Sequence, residues 1–140
     1  MLPLSNFTIT LGKSNNYLRL ACLIHVFALV VVWNSSLPIS IMLSMLLVLI
    51  GSFISIARNR VPVPSYDKLS YHINHWLLHD IHGQAYKYEQ AQLSFDAGLF
   101  FLLSLISETS TKKLIIFTDQ LTTAQHRALN VIGKLTSSPP

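Results

Sequence analysis

Carboxylates are scarce in this chain and cysteine is almost missing. The acids are Asp67, Asp80, Glu89, Asp96, Glu108 and Asp119. None sits in a nucleophile elbow or beside a glycine loop that could form an oxyanion hole. Phosphate-cradling and dinucleotide-binding glycine patterns are also lacking. Cys22 is the single cysteine, which excludes an internal disulfide and any cysteine metal cluster. Its plain role is that of a small apolar residue. Charge is thin overall, at 11% of residues against 51% hydrophobic, an unusual balance for a soluble domain. Between Leu20 and Ala57 there is no Asp, Glu, Lys or Arg at all.

That uncharged stretch dominates what is present. It is interrupted only by Asn34-Ser35-Ser36 and Leu37-Pro38, and it reads as two membrane-spanning helices joined by a tight hairpin. The first, from Tyr17 to Trp33, covers about 25 Å, the short end for a bilayer core of about 30 Å. Tyr17 and Trp33 bracket it as interfacial aromatics, and Arg19 lies within snorkelling reach of the headgroups. The second, from Pro38 to Ala57, covers about 30 Å, with Pro38 suited to the first helical position. Ser40, Ser44, Gly51 and Ser55 fall near one face of it. Small residues allow close approach, so Ser44 and Gly51 are expected where the first span packs. His25, near the middle of the first span, is expected to hydrogen-bond across to a serine of the second. No intramembrane carboxylate accompanies it to complete a proton relay.

The net charge of +4 is spread too thinly for nucleic-acid binding, which needs a basic stripe or an aromatic platform. Lys13, Arg19, Arg58, Arg60 and Lys68 flank the apolar stretch instead, and the loop between the spans is uncharged. The asymmetry predicts both termini in the cytoplasm, with Arg58 and Arg60 as interfacial anchors. A cleaved signal peptide is the competing reading of the first span. Its apolar segment is long for that purpose and the small-residue cleavage pattern is poor.

Val61-Pro62-Val63-Pro64-Ser65 reads as a semi-rigid linker. Beyond it the pattern turns β-like. A strand is expected through Leu69, Tyr71, Ile73, His75 and Leu77, then a turn at Asp80-Ile81-His82-Gly83. Further strands are expected over Ala85 to Phe95, Leu99 to Ile106 and Leu114 to Phe117. Phe7, Ile9 and Leu11 alternate with polar residues and could add a short N-terminal strand to the same module. Thr122 and Gln125 form a capping-box pair opening a final helix, with Ala124, Ala128, Val131, Ile132 and Leu135 on one face. The expected fold is a two-helix transmembrane hairpin plus a small α+β cytoplasmic module: an antiparallel sheet of about four strands with a C-terminal helix. In residues, that is an N-terminal segment over 1–16, the hairpin over 17–57, a linker over 58–68, the module over 69–135 and a tail over 136–140.

His72, His75, His79 and His82 are the densest cluster of chemistry-bearing residues. On a helix they would share a stripe, and neighbouring pairs could hold a metal. On a single strand they split, His72 and His82 on one face and His75 and His79 on the other. The strand reading fits the surrounding apolar pattern better, so neither a metal nor another cofactor is expected. Lys112, Lys113, Arg127 and Lys134 form a basic surface, either solvated or facing anionic lipid.

Several segments occur in a familiar order. They are Leu23-Ile24-His25 in a span closed by a tryptophan, a second span ending in Arg58-Asn59-Arg60, then Trp76-Leu77-Leu78. The run Leu99-Phe100-Phe101-Leu102-Leu103-Ser104-Leu105 follows, then Lys113-Leu114-Ile115-Ile116-Phe117-Thr118-Asp119-Gln120-Leu121 and Arg127-Ala128-Leu129. From Gly12 to Leu135 the chain resembles the YgfX-like, or CptA-type, bacterial inner-membrane toxins. The resemblance rests on order and spacing, and the histidines of 72–82 have no counterpart in it. It implies a non-enzymatic membrane-anchored interaction protein, the toxin half of a toxin–antitoxin pair. Its implied partners are the bilayer, the bacterial cytoskeletal polymer proteins, and the succinate dehydrogenase flavinylation factor as antitoxin. Alternatives are a membrane assembly factor linked to that flavinylation, or a histidine-dependent metal or haem protein.

Overall fold

The computed structural model describes residues 6–136, with side chains described as far as Val131. The expected tail lies outside the described residues apart from the backbone of Thr136, as do the side chains of Ile132, Lys134 and Leu135. The chain divides into two compact units, one formed by 14–61 and the other by the remainder.

In the first unit, α1 (Asn15–Trp33) and α2 (Ile39–Asn59) form the hairpin. Both are long and apolar enough to cross a membrane. The Ser14 hydroxyl caps α1 by accepting from the Tyr17 N–H at 2.9 Å. At the other end, Asn34 Nδ2 donates to the Val30 carbonyl (2.8 Å) and the Ser35 hydroxyl to the Val32 carbonyl (2.6 Å). The polar break in the sequence thus satisfies carbonyls that the end of the helix leaves free. Pro38 stands one residue earlier than expected, at the N-cap of α2. Arg60 closes that helix in the left-handed conformation (φ +53°), donating its N–H to Ile56 and its Nε–H to Ala57. The Ser14 N–H donates to the Arg60 carbonyl at 2.9 Å, so the open end of the hairpin is tied across.

The seam between the helices differs from expectation. Ser40, Ser44, Gly51 and Ser55 are all exposed. Gly51 has open space where a Cβ would stand, and the Ser44 hydroxyl turns back to the Ser40 carbonyl. Met42, Leu46, Leu49, Phe53 and Ile56 are the half-buried row of α2, while α1 presents Ala21, His25, Ala28 and Val32. The small residues of the seam come from α1. Large side chains of one helix fill the space left by small ones of the other, which retains dispersion contact over a longer row than two facing small stripes would.

The second unit is α+β, with seven strands in two antiparallel sheets among the described residues. One has the order β1 (Phe7–Thr10), β2 (Tyr66–His72), β3 (His75–Asp80), β4 (Ala85–Tyr88); the other has β5 (Gln90–Asp96), β6 (Phe100–Ile106), β7 (Thr111–Phe117). The N-terminal strand does join the module: Ile9 opposes Leu69 and Phe7 opposes Tyr71. A one-sheet reading misses two breaks. Ile73-Asn74 is a two-residue turn, with Asn74 left-handed at φ +67°, a conformation asparagine tolerates. The chain also leaves one sheet for the other at Glu89, whose N–H donates to the Ile106 carbonyl. The turns at Gly83 (φ +84°) and Gly98 (φ +77°) lie where expected.

One face of each sheet supplies a common core. Ile9, Leu69, Trp76, Leu78 and Tyr88 come from the four-stranded sheet. Ala91, Leu103, Leu105, Leu114 and Ile116 come from the three-stranded one. The capping box of α3 (Thr123–Thr136) is reciprocal, Thr122 N–H to Gln125 Oε1 at 2.8 Å and Gln125 N–H to Thr122 Oγ1 at 3.3 Å. Among its described side chains Leu129 is buried, while Ala124 and Val131 are exposed. The helix is thus rotated from the face expected, because Leu129 fills the core and His126 stacks edge-on against Phe101 at 5.2 Å.

Ile9 is fully buried although it lies more than fifty residues from its strand partner Leu69. Ile9→Ala is expected to destabilise the module by about 2–5 kcal/mol, read as a lowered denaturant midpoint in detergent at an unchanged slope.

Candidate interaction surface

The β2–β3 turn reorganises the histidines. His72 and His75 become direct cross-strand partners, and His79 follows two steps along the same face. All three point away from the core, on the face shared with Thr8, Ser70 and Leu77. This corrects the split expected from a single strand, since a two-residue turn sets the residues that flank it opposite each other and so on one face. The three do not converge. His72 Nδ1 lies 3.1 Å from Asn6 Oδ1 and His75 Nδ1 lies 3.1 Å from the Ile73 carbonyl. His82 stands in the next turn, exposed. Among the described residues no group of three His, Cys, Asp or Glu is placed to hold a metal ion.

His25 lies in the helical seam. Its Nδ1 is 2.7 Å from the Ala21 carbonyl, an atom that can only accept, so Nδ1 carries the proton. Nε2 is then an acceptor for the Ser52 hydroxyl at 3.4 Å. The ring also meets Phe53 edge-on at 5.4 Å. Nδ1 thus bonds back within its own helix, and the Nε2 contact with Ser52 and the ring contact with Phe53 reach across to the second helix. Of the other membrane-flanking residues, Trp33, Arg19 and Arg58 are exposed and Tyr17 is half-buried.

A third group was not anticipated. Tyr66 of β2, Tyr86 of the edge strand β4 and Lys112 of β7 meet at the rim between the sheets. The Tyr66 and Tyr86 rings stand edge to face at 6.5 Å, and the Lys112 ammonium lies 5.2 Å from the Tyr66 ring centre. Tyr86 is exposed, its hydroxyl donating to Gln84 Oε1 at 3.0 Å. The hydrogen bond with Tyr66 holds the Lys112 pKa above its ordinary value. Burial does the same to the neighbouring Tyr88 phenol. Lys112 faces the core side because it alternates with Leu114 and Ile116, a parity that the sequence carries and that a purely surface reading overlooks.

A fourth feature is apolar. Phe95, Phe100 and Phe117 form a string of rings, 6.2 Å and 5.7 Å between centres. Leu99 and Ile115 are exposed beside them.

A family model described as "membrane-bound toxin component of toxin-antitoxin system" matches residues 5–136. The chain belongs to this family. No curated protein and no solved structure matches it. As a member of the family it is a membrane-associated toxin component, and no known enzyme activity defines that family. The sequence resemblance and the family match agree, and the match extends across both the helical hairpin and the β-rich unit.

The shifts at Tyr88 and Lys112 have the same sign. A phenol and an ammonium whose folded pKa values are raised contribute stability that is complete below their unfolded values, about 10 and 10.4. That contribution is lost as pH rises through the folded ones. Unfolding midpoints should therefore fall above about pH 10, and Tyr88→Phe should make that fall shallower when midpoints are measured against pH.

Proposed function

We propose that this toxin acts by binding protein rather than by catalysis, from a module held on the cytoplasmic side of the bacterial inner membrane. Its target is the assembly of cytoskeletal polymer proteins, as the family resemblance implies. The observation that carries the binding role is the Tyr66–Tyr86–Lys112 group. Tyrosine and cationic side chains presented on a rigid rim are the chemistry of interface hot spots, giving large contact area at small entropic cost. Tyr86 lies on β4, which among the described residues has a strand neighbour on one side only. An incoming segment could therefore add its backbone to that edge while meeting the tyrosine.

Two observations support this topology. Basic residues flank the hairpin and its loop carries none. Strands β1 and β2 pair with each other although both spans lie between them, which fits an even number of crossings with the two ends of the hairpin on one side. The anchoring roles of Tyr17, Arg19, Trp33, Arg58 and Arg60, and the packing role of His25, belong to the same reading.

A C-terminal reporter should read cytoplasmic in whole cells. Crosslinking from membranes should recover a cytoskeletal polymer protein. Tyr86→Ala with Lys112→Ala should weaken that capture by about 30-fold, the scale of a 2 kcal/mol hot spot. It should relieve growth inhibition in parallel, with the helical content unchanged. Recovery of the flavinylation factor alone, without growth inhibition, would instead favour a respiratory assembly factor. A periplasmic reporter would remove every cytoplasmic partner.

A further inference from the structure

The apolar end of the β module remains without a role in that reading. Phe95, Leu99 and Ile115 are 55%, 49% and 41% exposed, and Phe100 joins Phe95 to Phe117. Register places Phe95 opposite Leu102 and Leu102 opposite Ile115, so these side chains share the sheet face turned away from the core. A cluster of this kind in water needs an occupant.

A series of hydrogen bonds says which occupant. The Thr118 N–H and hydroxyl both donate to the Leu99 carbonyl, at 3.0 and 3.1 Å. One step on, the Phe117 N–H donates to Gln120 Oε1 at 2.9 Å, and Gln120 Nε2 donates to the Gly12 carbonyl at 2.6 Å. Gly12 is two residues before Ser14, the cap of the first apolar helix. The exposed rings thus belong to the end of the module from which the chain departs for the membrane. The opposite end of the β1–β2 ladder carries Ile73, equally apolar and 80% exposed, but without that connection.

We propose that the end of the module bearing Phe95, Leu99 and Phe100 seats in the headgroup region of the lipid bilayer, a second membrane contact beside the helical hairpin. Aromatic and aliphatic side chains at this depth leave water while nearby polar groups remain hydrated. Lys113, on the same face as Ile115, and Lys13, next to Gly12, can reach lipid phosphates. Asp96 and Asp119 border the patch, the Asp96 carboxylate accepting from the Gly98 N–H at 2.8 Å. The driving force is therefore removal of apolar surface from water rather than net charge. Seating in this way would restrict how the Tyr86 rim is presented to a partner.

This inference rests on the two helices crossing the bilayer, and the experiment separates the two. The full-length Cys22→Ser protein carries one further cysteine at a time, Leu99→Cys, Ile73→Cys or Leu47→Cys. Each is labelled with an environment-sensitive fluorophore and reconstituted in nanodiscs of zwitterionic lipid, with or without anionic lipid. Leu99, Ile73 and Leu47 are all exposed, so the substitutions spare the cores, and circular dichroism checks the fold. The Leu47 label should be quenched by nitroxides deep in the acyl region. The Leu99 label should be blue-shifted, quenched by nitroxides near the headgroups and shielded from aqueous iodide in both lipid mixtures. The Ile73 label should be open to iodide. A further Phe95→Ser substitution should return the Leu99 label toward iodide access. Iodide access at Leu99 equal to that at Ile73, with Leu47 quenched, overturns the proposal alone. Shielding of Leu99 from both quenchers overturns it in favour of a protein contact. Failure to quench Leu47 overturns the membrane crossing and this proposal together.

Discussion

The pairing of β1 with β2 is the constraint on which the rest of the structure depends. Four residues, Phe7 to Thr10, find their partners across more than fifty positions of chain, and everything between them is the membrane hairpin. The ladder continues past the strand: the Leu11 N–H donates to the Asp67 carbonyl at 2.8 Å. At the open end of the hairpin the Ser14 N–H donates to the Arg60 carbonyl. Strand pairing across the hairpin and the basic residues that flank it bear independently on the proposed topology.

Closing so long a loop is entropically unfavourable, and the core explains how it holds. Ile9 and Leu11 join a cluster that includes Leu69 and Leu78 from one sheet and Leu103 and Leu114 from the other. Gln125 of α3 donates to the Thr8 carbonyl, and Gln120 to the Gly12 carbonyl. The segment before the first span is therefore held along its length by hydrophobic burial and by amide side chains from the far end of the chain. The buried hydroxyls obey the same economy: Ser104 meets Ser94 at 2.6 Å, and Ser70 accepts from Thr8 at 3.4 Å, so neither polar group is left unpaired in the protein interior.

What reaches the surface then divides by chemistry. The outer face of the four-stranded sheet is polar and carries three histidines held apart by strand geometry. The rim between the sheets carries tyrosines and a lysine. The end nearest the departing chain carries exposed rings and aliphatic side chains. A toxin component tethered to a membrane needs both a way to meet its target and a way to present itself, and the rim and the apolar end are suited to different parts of that task.

The sequence alone determined the membrane hairpin, the capping box of the last helix and the turns at Gly83 and Gly98. Each of those signals is local: an uncharged run, or a residue type demanded by one backbone conformation. Tertiary structure decided what depends on partners distant in the chain. Alternation through Tyr71, Ile73, His75 and Leu77 reads straight across the Ile73-Asn74 turn because each residue is two positions from the next, yet the turn reverses the parity, leaving Tyr71 on the core face with Trp76 and placing His75 and Leu77 on the other. Ala85 to Phe95 hides a change of sheet at Glu89, across which Tyr88 and Ala91, three positions apart, both reach the core. The serine and glycine stripe of α2 was visible, but which stripe forms the seam depends on what α1 offers, and α1 offers alanines. The Tyr66–Tyr86–Lys112 rim draws on three strands and the apolar end on a fold-back to Gly12. Neither leaves a mark in any single stretch of sequence, because each exists only once the sheets have closed over a common core.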